Sequence, residues 1–261
     1  MNRIAVGVQY DGSAYAGWQS QPGTTTIQQA VERALSVVAA EPVRLTCAGR
    51  TDAGVHAWGQ VAHFDTAAAR RARSWVLGAN SELPPDLSLS WAMPVPEHFH
   101  ARYSAQARTY QYLILNRGVR SGLLAKRATW IHRPLDAAAM AQAALTLAGE
   151  HDFSAFRAAE CQAKSPVRRL ERLEVARRGD WLYVEATANA FLHHMMRNIA
   201  GLLIVIGKGE APVAWAGEVL RGRDRRRAAA TAPAAGLYLL AVRYPAAFGV
   251  SVRAPATVPL D

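Results

Sequence analysis

The sequence has few cysteines and no hydrophobic run long enough to cross a membrane. Its two cysteines, Cys47 and Cys161, are far apart and match no metal-ligand spacing, so we interpret them as reduced, buried thiols. The most apolar run, residues 199–206, is too short to span a bilayer. The N-terminal residues turn polar at Gln9 and so lack the apolar core of a signal peptide. We therefore expect a cytoplasmic protein without a membrane segment.

The usual sequence signatures of cofactor and metal sites are also missing. Gly207-Lys208-Gly209 lacks the Walker pattern, no G-x-G-x-x-G follows a strand, and no serine lies in a G-x-S-x-G elbow. His193 and His194 fall in a predicted helix, where adjacent side chains diverge by about 100° and chelate one ion poorly. We expect neither a cofactor nor a metal.

Acidic residues are outnumbered, with 20 Asp and Glu against 30 Lys and Arg, which leaves a net charge of +10. A partner rich in phosphates would explain this excess, because each neutralised phosphate releases counterions. Residues 157–178 hold six Arg and one Lys against three Glu, and residues 221–227 hold five Arg against one Asp. The guanidinium fork matches phosphate oxygens. The alternative is that both runs are solvated surface.

The 261 residues, of which 51% are hydrophobic, can form one large domain or two intimate subdomains. Strand and helix patterns recur in both halves, which predicts two α+β subdomains whose sheets join, with Asp52 near the junction. We expect an N-terminal subdomain over 1–106, a C-terminal subdomain over 107–245, and a poorly ordered tail over 246–261.

Hydrophobic periodicity and capping residues predict the individual elements. Thr26 and Asp136 are the expected N-caps of two of the helices. The predicted strands cover 3–10, 43–48, 59–65, 87–93, 109–115, 167–176, 181–188 and 237–244, and the predicted helices cover 27–40, 70–80, 136–148, 190–206 and 212–220.

The most informative stretch is residues 48–57, which reads Ala-Gly-Arg-Thr-Asp-Ala-Gly-Val-His-Ala. It places Arg50 and Asp52 two residues apart, on a loop between two predicted strands. A rigidly held carboxylate suits catalysis, and a neighbouring cation favours its ionised form, which acts as nucleophile or base. The alternative is an ordinary hairpin turn, because Asp and Gly are common turn residues.

Two further residues are candidates for a site, each with a plain structural alternative. Arg197 follows an apolar stretch on the longest predicted helix, where it is costly unless it is paired with a carboxylate such as Asp52. It is otherwise a solvent-facing arginine on an amphipathic helix. Tyr110 shares a strand face with Tyr112 and could stack on a nucleobase, or both could belong to the core.

Seven blocks of residues follow one another along the chain: Tyr10-Asp11-Gly12 with Gly17-Trp18-Gln19; 48–57 with Gly59-Gln60-Val61; 99–105; Arg108-Thr109-Tyr110; Asp152-Phe153-Ser154 with Phe156; 189–198; and Gly236-Leu237-Tyr238-Leu239. In this order they resemble the bacterial tRNA pseudouridine synthase A (TruA) family over residues 3–245. Met196 stands where relatives often carry valine, a swap between apolar residues of similar volume.

The resemblance implies a reaction and a role for each matched residue. Uridine would be converted to pseudouridine at positions 38, 39 and 40 of the tRNA anticodon stem-loop. Asp52 corresponds to the catalytic nucleophile and Arg50 to the residue that helps displace the base. Tyr110 corresponds to the residue that packs on the target base, Arg197 to the partner of the aspartate, and Leu237 to a pocket wall beneath the base.

The family further implies a homodimer in which one tRNA contacts both subunits. It also implies an α+β fold of two related subdomains that share a mostly antiparallel sheet flanked by helices, with the active-site cleft between them. Two other functions remain open at this stage. One is a non-catalytic RNA-binding protein, although Asp repels phosphate and the RNP aromatic signature is missing. The other is a metal-dependent nuclease built on Asp52, Asp65 and nearby histidines, although two-metal chemistry usually needs a denser carboxylate cluster.

Overall fold

The computed structural model describes residues 1–250 and divides the chain into two compact units. Of the described residues, the first unit contains Met1–Gln106 and 238–250, and the second contains Ala107–Leu237. The last strand of the chain pairs in parallel with a strand of the first unit.

The first unit is a sheet with two helices. Its strands are β1 (Asn2–Tyr10), β2 (Thr46–Cys47), β3 (His56–Thr66), β4 (Leu87–Val95) and the last strand of the chain, β10 (Leu237–Arg243). β1 lies between β4 and β3 and is antiparallel to both. β2 is antiparallel to β3, whereas β10 runs parallel to β3 through Tyr238 and Leu239.

Two amphipathic helices belong to this unit, α1 (Ile27–Ala39) and α2 (Ala72–Glu82), and they pack on each other. Thr26 caps α1 as expected, because its side chain accepts a hydrogen bond from Gln29 N. Ile27, Val31 and Leu35 lie on the buried face of α1, as their helical spacing predicts.

The second unit contains four strands that pair antiparallel, in the order β5 (Ala107–Asn116), β9 (Trp181–Ala188), β8 (Val167–Arg178) and β7 (Gly149–Asp152). The short β6 (Thr129–Ile131) is parallel to the end of β5. Helix α3 (Ala137–Leu147), capped by Asp136, packs against β8, α4 (Met195–Gly207) and α5 (Trp215–Gly222).

The expectation of an α+β fold with mostly antiparallel strands is confirmed, and some element bounds are corrected. The helix expected over 190–206 begins at Met195, because His194 adopts the left-handed conformation with φ 61°. The strand expected over 43–48 is reduced to Thr46–Cys47, and that expected over 59–65 begins at His56. The helix expected over 212–220 begins at Trp215, after a turn that starts at Pro212.

The expected tail falls partly within the described residues. A short 3-10 turn at Ala246–Phe248 places the ring of Phe248 against that of Phe99, at 5.2 Å between centroids. The remainder of the expected tail, 251–261, lies outside the described residues. Within residues 1–250, every helix is too short or too polar to span a lipid bilayer.

Candidate active-site residues

Asp52 lies on a short connection between β2 and β3, residues 48–55, which we call the Asp52 loop. Its backbone forms a turn that is closed by a hydrogen bond from Val55 N to Asp52 O at 3.1 Å. Gly54 occupies the third position of this turn with φ 76°, a value that favours glycine. Asp52 is half-buried, while Arg50 is exposed. The expected loop between two strands is therefore present, with the carboxylate at the start of a tight turn.

The first half of the Asp52 loop is held by side chains of the neighbouring strands. Thr51 is 7% exposed, and its hydroxyl pairs with that of Tyr10 on β1 at 2.8 Å. Gln60 on β3 is fully buried, and its side-chain amide bonds the backbone of Gly49. Buried, satisfied hydrogen bonds of this kind hold a loop in one geometry.

A second loop, which follows β1, packs directly on the Asp52 loop. Trp18 N donates to Thr51 O at 3.0 Å. Gly17, with φ 91°, lies so close that a Cβ there would be 2.7 Å from Thr51 O. Gly12 lies equally close to the backbone of Val55, so neither position has space for a side chain. These two glycines give a physical reason for the G-x-x-x-x-G spacing ahead of Trp18.

His56, four residues after Asp52, was not singled out by the sequence. It is 1% exposed, its Nδ1 accepts a hydrogen bond from Gly12 N at 3.1 Å, and its ring stacks on Tyr238 at 4.6 Å between centroids. The contact joins the start of β3 to β10. The signal that could have identified this residue is its place at the end of the loop motif.

Cys47 is the last residue of β2 and lies three residues before Arg50. Burial raises the pKa of its thiol to about 12, and the opposing effect of the Arg50 charge is smaller. A thiol of this kind stays protonated at neutral pH and is a poor nucleophile. The interpretation of Cys47 as a buried, unpaired thiol agrees with its burial.

Two of the predicted residues, Arg197 and Leu237, are connected with residues 229–237, which we call the 229–237 segment: Arg197 bonds Ala232, and Leu237 is the last residue of the segment. Arg197, half-buried in the first turn of α4, donates from Nε to Ala232 O at 2.8 Å, and Ala232 N donates to Arg197 O at 3.1 Å. Further along, Gly236 packs closely on the carbonyl of Leu113, and Leu237 then begins β10 with 5% exposure.

Tyr110 and Tyr112, expected to share a face of β5, have different surroundings. Tyr112 is fully buried, and its hydroxyl contacts Thr129 Oγ1 at 2.6 Å and donates to Pro233 O at 2.8 Å. Burial raises the pKa of its phenol. Tyr110 is 8% exposed, and its ring meets the edge of Phe191 at 4.9 Å. Tyr112 is therefore a core residue, and Tyr110 alone stays a candidate for base contact.

His193 and His194 do not lie on a helix with diverging side chains, as we expected. Both precede α4, and their ring centroids are only 4.0 Å apart. The left-handed backbone at His194 brings neighbouring rings together, which the helical spacing did not anticipate.

The two basic runs are not uniform surfaces. Arg177 donates to Asn116 Oδ1 and Leu135 O, both at 2.8 Å, and Arg157 donates to Cys161 O at 2.6 Å, so these side chains serve internal contacts. Arg225 does the same in the second run. These inward-facing arginines are therefore poor candidates for phosphate binding. Only the outward-facing basic residues of each run stay candidates.

Comparison with known proteins places the chain among RNA-modifying enzymes. The family model described as "tRNA pseudouridine synthase" matches residues 6–104 and 143–245, which include Arg50, Asp52, Arg197 and Leu237 but not Tyr110. A protein named "tRNA pseudouridine synthase A" from Nitrosococcus oceani is 55% identical over 98% of this chain and 99% of its own length.

Two further relatives carry the same name. The protein from Methylococcus capsulatus is 57% identical over 95% of this chain and 92% of its own length. The protein from Pseudomonas aeruginosa is 54% identical over 97% of this chain and 89% of its own length.

Proposed function

This chain belongs to the tRNA pseudouridine synthase family, and we propose that it isomerises uridine to pseudouridine at positions 38, 39 and 40 of the tRNA anticodon stem-loop. As a member of that family it is an isomerase that acts on tRNA. The observation that supports the site most directly is the Asp52 loop, whose carboxylate-bearing turn is held by hydrogen bonds at Thr51 and Gly49. Such rigidity is what a nucleophile or base requires.

In this reaction the glycosidic bond breaks, the base turns, and a new bond joins the same sugar carbon to a carbon of the ring. No atom is gained or lost and no electron is transferred, so the balance needs no oxidant, metal or ATP. We assign the nucleophile or base to Asp52. Attack on the pyrimidine ring, attack on the sugar carbon and removal of a sugar proton all use an ionised carboxylate.

The other roles follow the matched positions. Arg50, exposed beside Asp52, helps to displace the base. Tyr110 packs on the target base, and its ring is oriented by Phe191. Arg197 pairs with the catalytic carboxylate, and Leu237 forms a wall beneath the base. The target uridine lies in a stem and must be flipped out, which costs a few kcal/mol.

The charge of +10 supports a substrate with many phosphates. We propose that the enzyme acts on tRNA in the cytoplasm as a homodimer, with one tRNA contacting both subunits.

The test is pseudouridine formation on an unmodified tRNA transcript by the wild type and by Asp52→Asn, with EDTA present and no cofactor added. The expected result is product at positions 38–40 from the wild type alone. If neither protein forms product although both bind the transcript, the enzyme assignment of this site is overturned in favour of RNA binding. Loss of activity in EDTA, or cleavage of the RNA chain, would instead favour a metal-dependent nuclease.

A further inference from the structure

We propose that Arg225 is a positioning residue that fixes Arg197, and that it is not a phosphate ligand. The inference rests on the proposed function, in which Arg197 acts at the reacting base. It separates Arg225 from Arg226 and Arg227, although the sequence presents the three as one basic run.

The guanidinium of Arg225 makes three hydrogen bonds within the protein. Nη1 donates to Ala229 O at 2.7 Å, and Nη2 donates to Thr231 Oγ1 at 3.0 Å and to Asn198 Oδ1 at 3.1 Å. These acceptors lie on two different elements, the 229–237 segment and helix α4. The planar fork of arginine reaches such divided acceptors at once, whereas a lysine ammonium on its flexible stem does not hold the same geometry.

Asn198, the neighbour of Arg197 on α4, is the centre of this network. It is 1% exposed, its Oδ1 also accepts from Thr231 Oγ1 at 2.7 Å, and its Nδ2 donates to Phe156 O at 2.7 Å. The amide therefore has partners on both sides. A buried polar network that is fully satisfied specifies one arrangement of the segments it joins.

The network ends where Arg197 is held. Thr231 is followed directly by Ala232, which exchanges two hydrogen bonds with Arg197, one through the Arg197 backbone and one through its Nε. The carbonyl of Ala230 lies against Gly201, where a Cβ would not fit. The segment from Ala230 to Ala232 therefore rests on α4 by its backbone, and its position sets the acceptor that orients the Arg197 guanidinium.

The two neighbouring arginines have other surroundings. Arg226 pairs with Asp224 within its own turn, at 2.9 and 3.0 Å, and is 90% exposed. Arg227 is exposed as well. Of the three arginines, only Arg225 turns inward to join the 229–237 segment to α4. A variant that keeps the positive charge but loses the guanidinium hydrogen bonds should therefore differ from one that only loses the charge.

The experiment compares Arg225→Lys, Arg225→Ala and Thr231→Val with Thr231→Ser, Arg227→Ala and the surface control Arg73→Ala. Thr231→Val removes the hydroxyl that joins Arg225 to Asn198 with little change of volume, and Thr231→Ser retains it. For each variant we would measure kcat and KM for pseudouridine formation, tRNA affinity at several salt concentrations, and the melting temperature.

We expect Arg225→Lys and Thr231→Val to lower kcat about tenfold, because small displacements of a reacting group are costly. KM and the salt dependence of tRNA binding should stay near wild type, and Thr231→Ser should restore kcat. In an Arg197→Ala background, Arg225→Lys should lower kcat no further, because both changes remove one function. A merely structural role would lower kcat again.

The inference is overturned if Arg225→Lys retains wild-type kcat, or if Arg225→Ala reduces the salt slope by about 0.9, as loss of a phosphate contact would. Should Arg225→Lys fail to fold, Thr231→Val decides alone, and wild-type kcat in that variant overturns the inference. A wild type that forms no pseudouridine refutes the proposed function, which is a separate outcome.

Discussion

Gln60 bonds Gly49 through both ends of its side-chain amide, with Nε2 donating to Gly49 O at 2.6 Å and Oε1 accepting from Gly49 N at 3.4 Å. These two hydrogen bonds lie just beyond the point where the pairing of β2 with β3 ends. β2 and β3 pair at Cys47 and Ala62, and Ala48 N still reaches Val61 O at 2.7 Å. One residue later the backbone has diverged, and the Gln60 side chain takes the place of the missing strand partner.

Gln60→Leu should therefore loosen the Asp52 loop. The change removes both hydrogen bonds and leaves the half-buried backbone groups of Gly49 without this partner, which costs about 1 kcal/mol or more. We expect kcat to fall roughly 10- to 100-fold, while tRNA affinity stays within about twofold because phosphate contacts dominate it. Urea unfolding and kinetics would be compared with exposed Gln142→Leu; equal behaviour of the two variants would contradict the assignment.

Gly17→Ala should be more damaging than Gly23→Ala, although both glycines have positive φ. Gly23 has φ 72° and open space where a Cβ would lie, so alanine costs only the backbone strain, about 1 kcal/mol. At Gly17 the Cβ also meets Thr51 O, and we expect a loss of about 2 kcal/mol or more together with lower kcat. Denaturant midpoints of the two variants check this, and similar values would refute the close packing.

Cys47 should be inert in the folded protein. With a pKa raised to about 12 by burial, only about one thiol in ten thousand is ionised at pH 8. Iodoacetamide should therefore leave Cys47 unlabelled and the activity unchanged under conditions in which the urea-unfolded chain is labelled. Mass mapping of the labelled peptide gives the answer, and labelling of native Cys47 within minutes would contradict its burial.

Acid should destabilise the first unit through His63. Burial, followed by the charges of Arg3 and His100, lowers the pKa of His63 to about 4, against about 6.5 in an unfolded chain. The free energy of unfolding is thus highest above about pH 6.5 and decreases as the pH falls toward 4, because in this range only the unfolded state takes up a proton at His63. The expected loss of unfolding free energy is about 3 kcal/mol.

The measurement for His63 is urea unfolding at pH 7 and pH 4.5. The pKa of His100 is also lowered, mainly by burial, so it contributes in the same window. His63→Gln keeps an acceptor for Ala101 N, which bonds His63 Nδ1 at 3.1 Å. This variant should flatten the pH dependence, and an unchanged dependence would assign the effect elsewhere.

Local signals predicted much of the fold, because they act within a few residues. Thr26 and Asp136 cap the helices that they were expected to cap, since capping needs only the next turn. The start of α4 was predicted wrongly, because no local signal marks it. Apolar residues continue through the preceding stretch, and the left-handed conformation of His194 has no local signature in the sequence.

The sequence predicted where along the chain the candidate site lies, but not the contacts that hold its residues in place. The motif around Asp52 identifies the loop, but the amide of Gln60 that supports it and the close approach of Gly17 depend on long-range packing. Arg225 and Arg226 are the same amino acid in the same basic run, and only tertiary contacts give them different partners.

The return of β10 to the first unit has a consequence during translation. A ribosome that has made residues 1–106 has produced β1 to β4, yet His56 and Ala57, directly after the Asp52 loop, still lack the partners Tyr238 and Leu239. The second unit is contiguous, so it can fold as soon as it emerges, and the first unit is completed after it. The first unit is thus the first to be synthesised and the last to complete its fold. Nascent chains that stop short of β10 lack the strand that completes the support of the Asp52 loop.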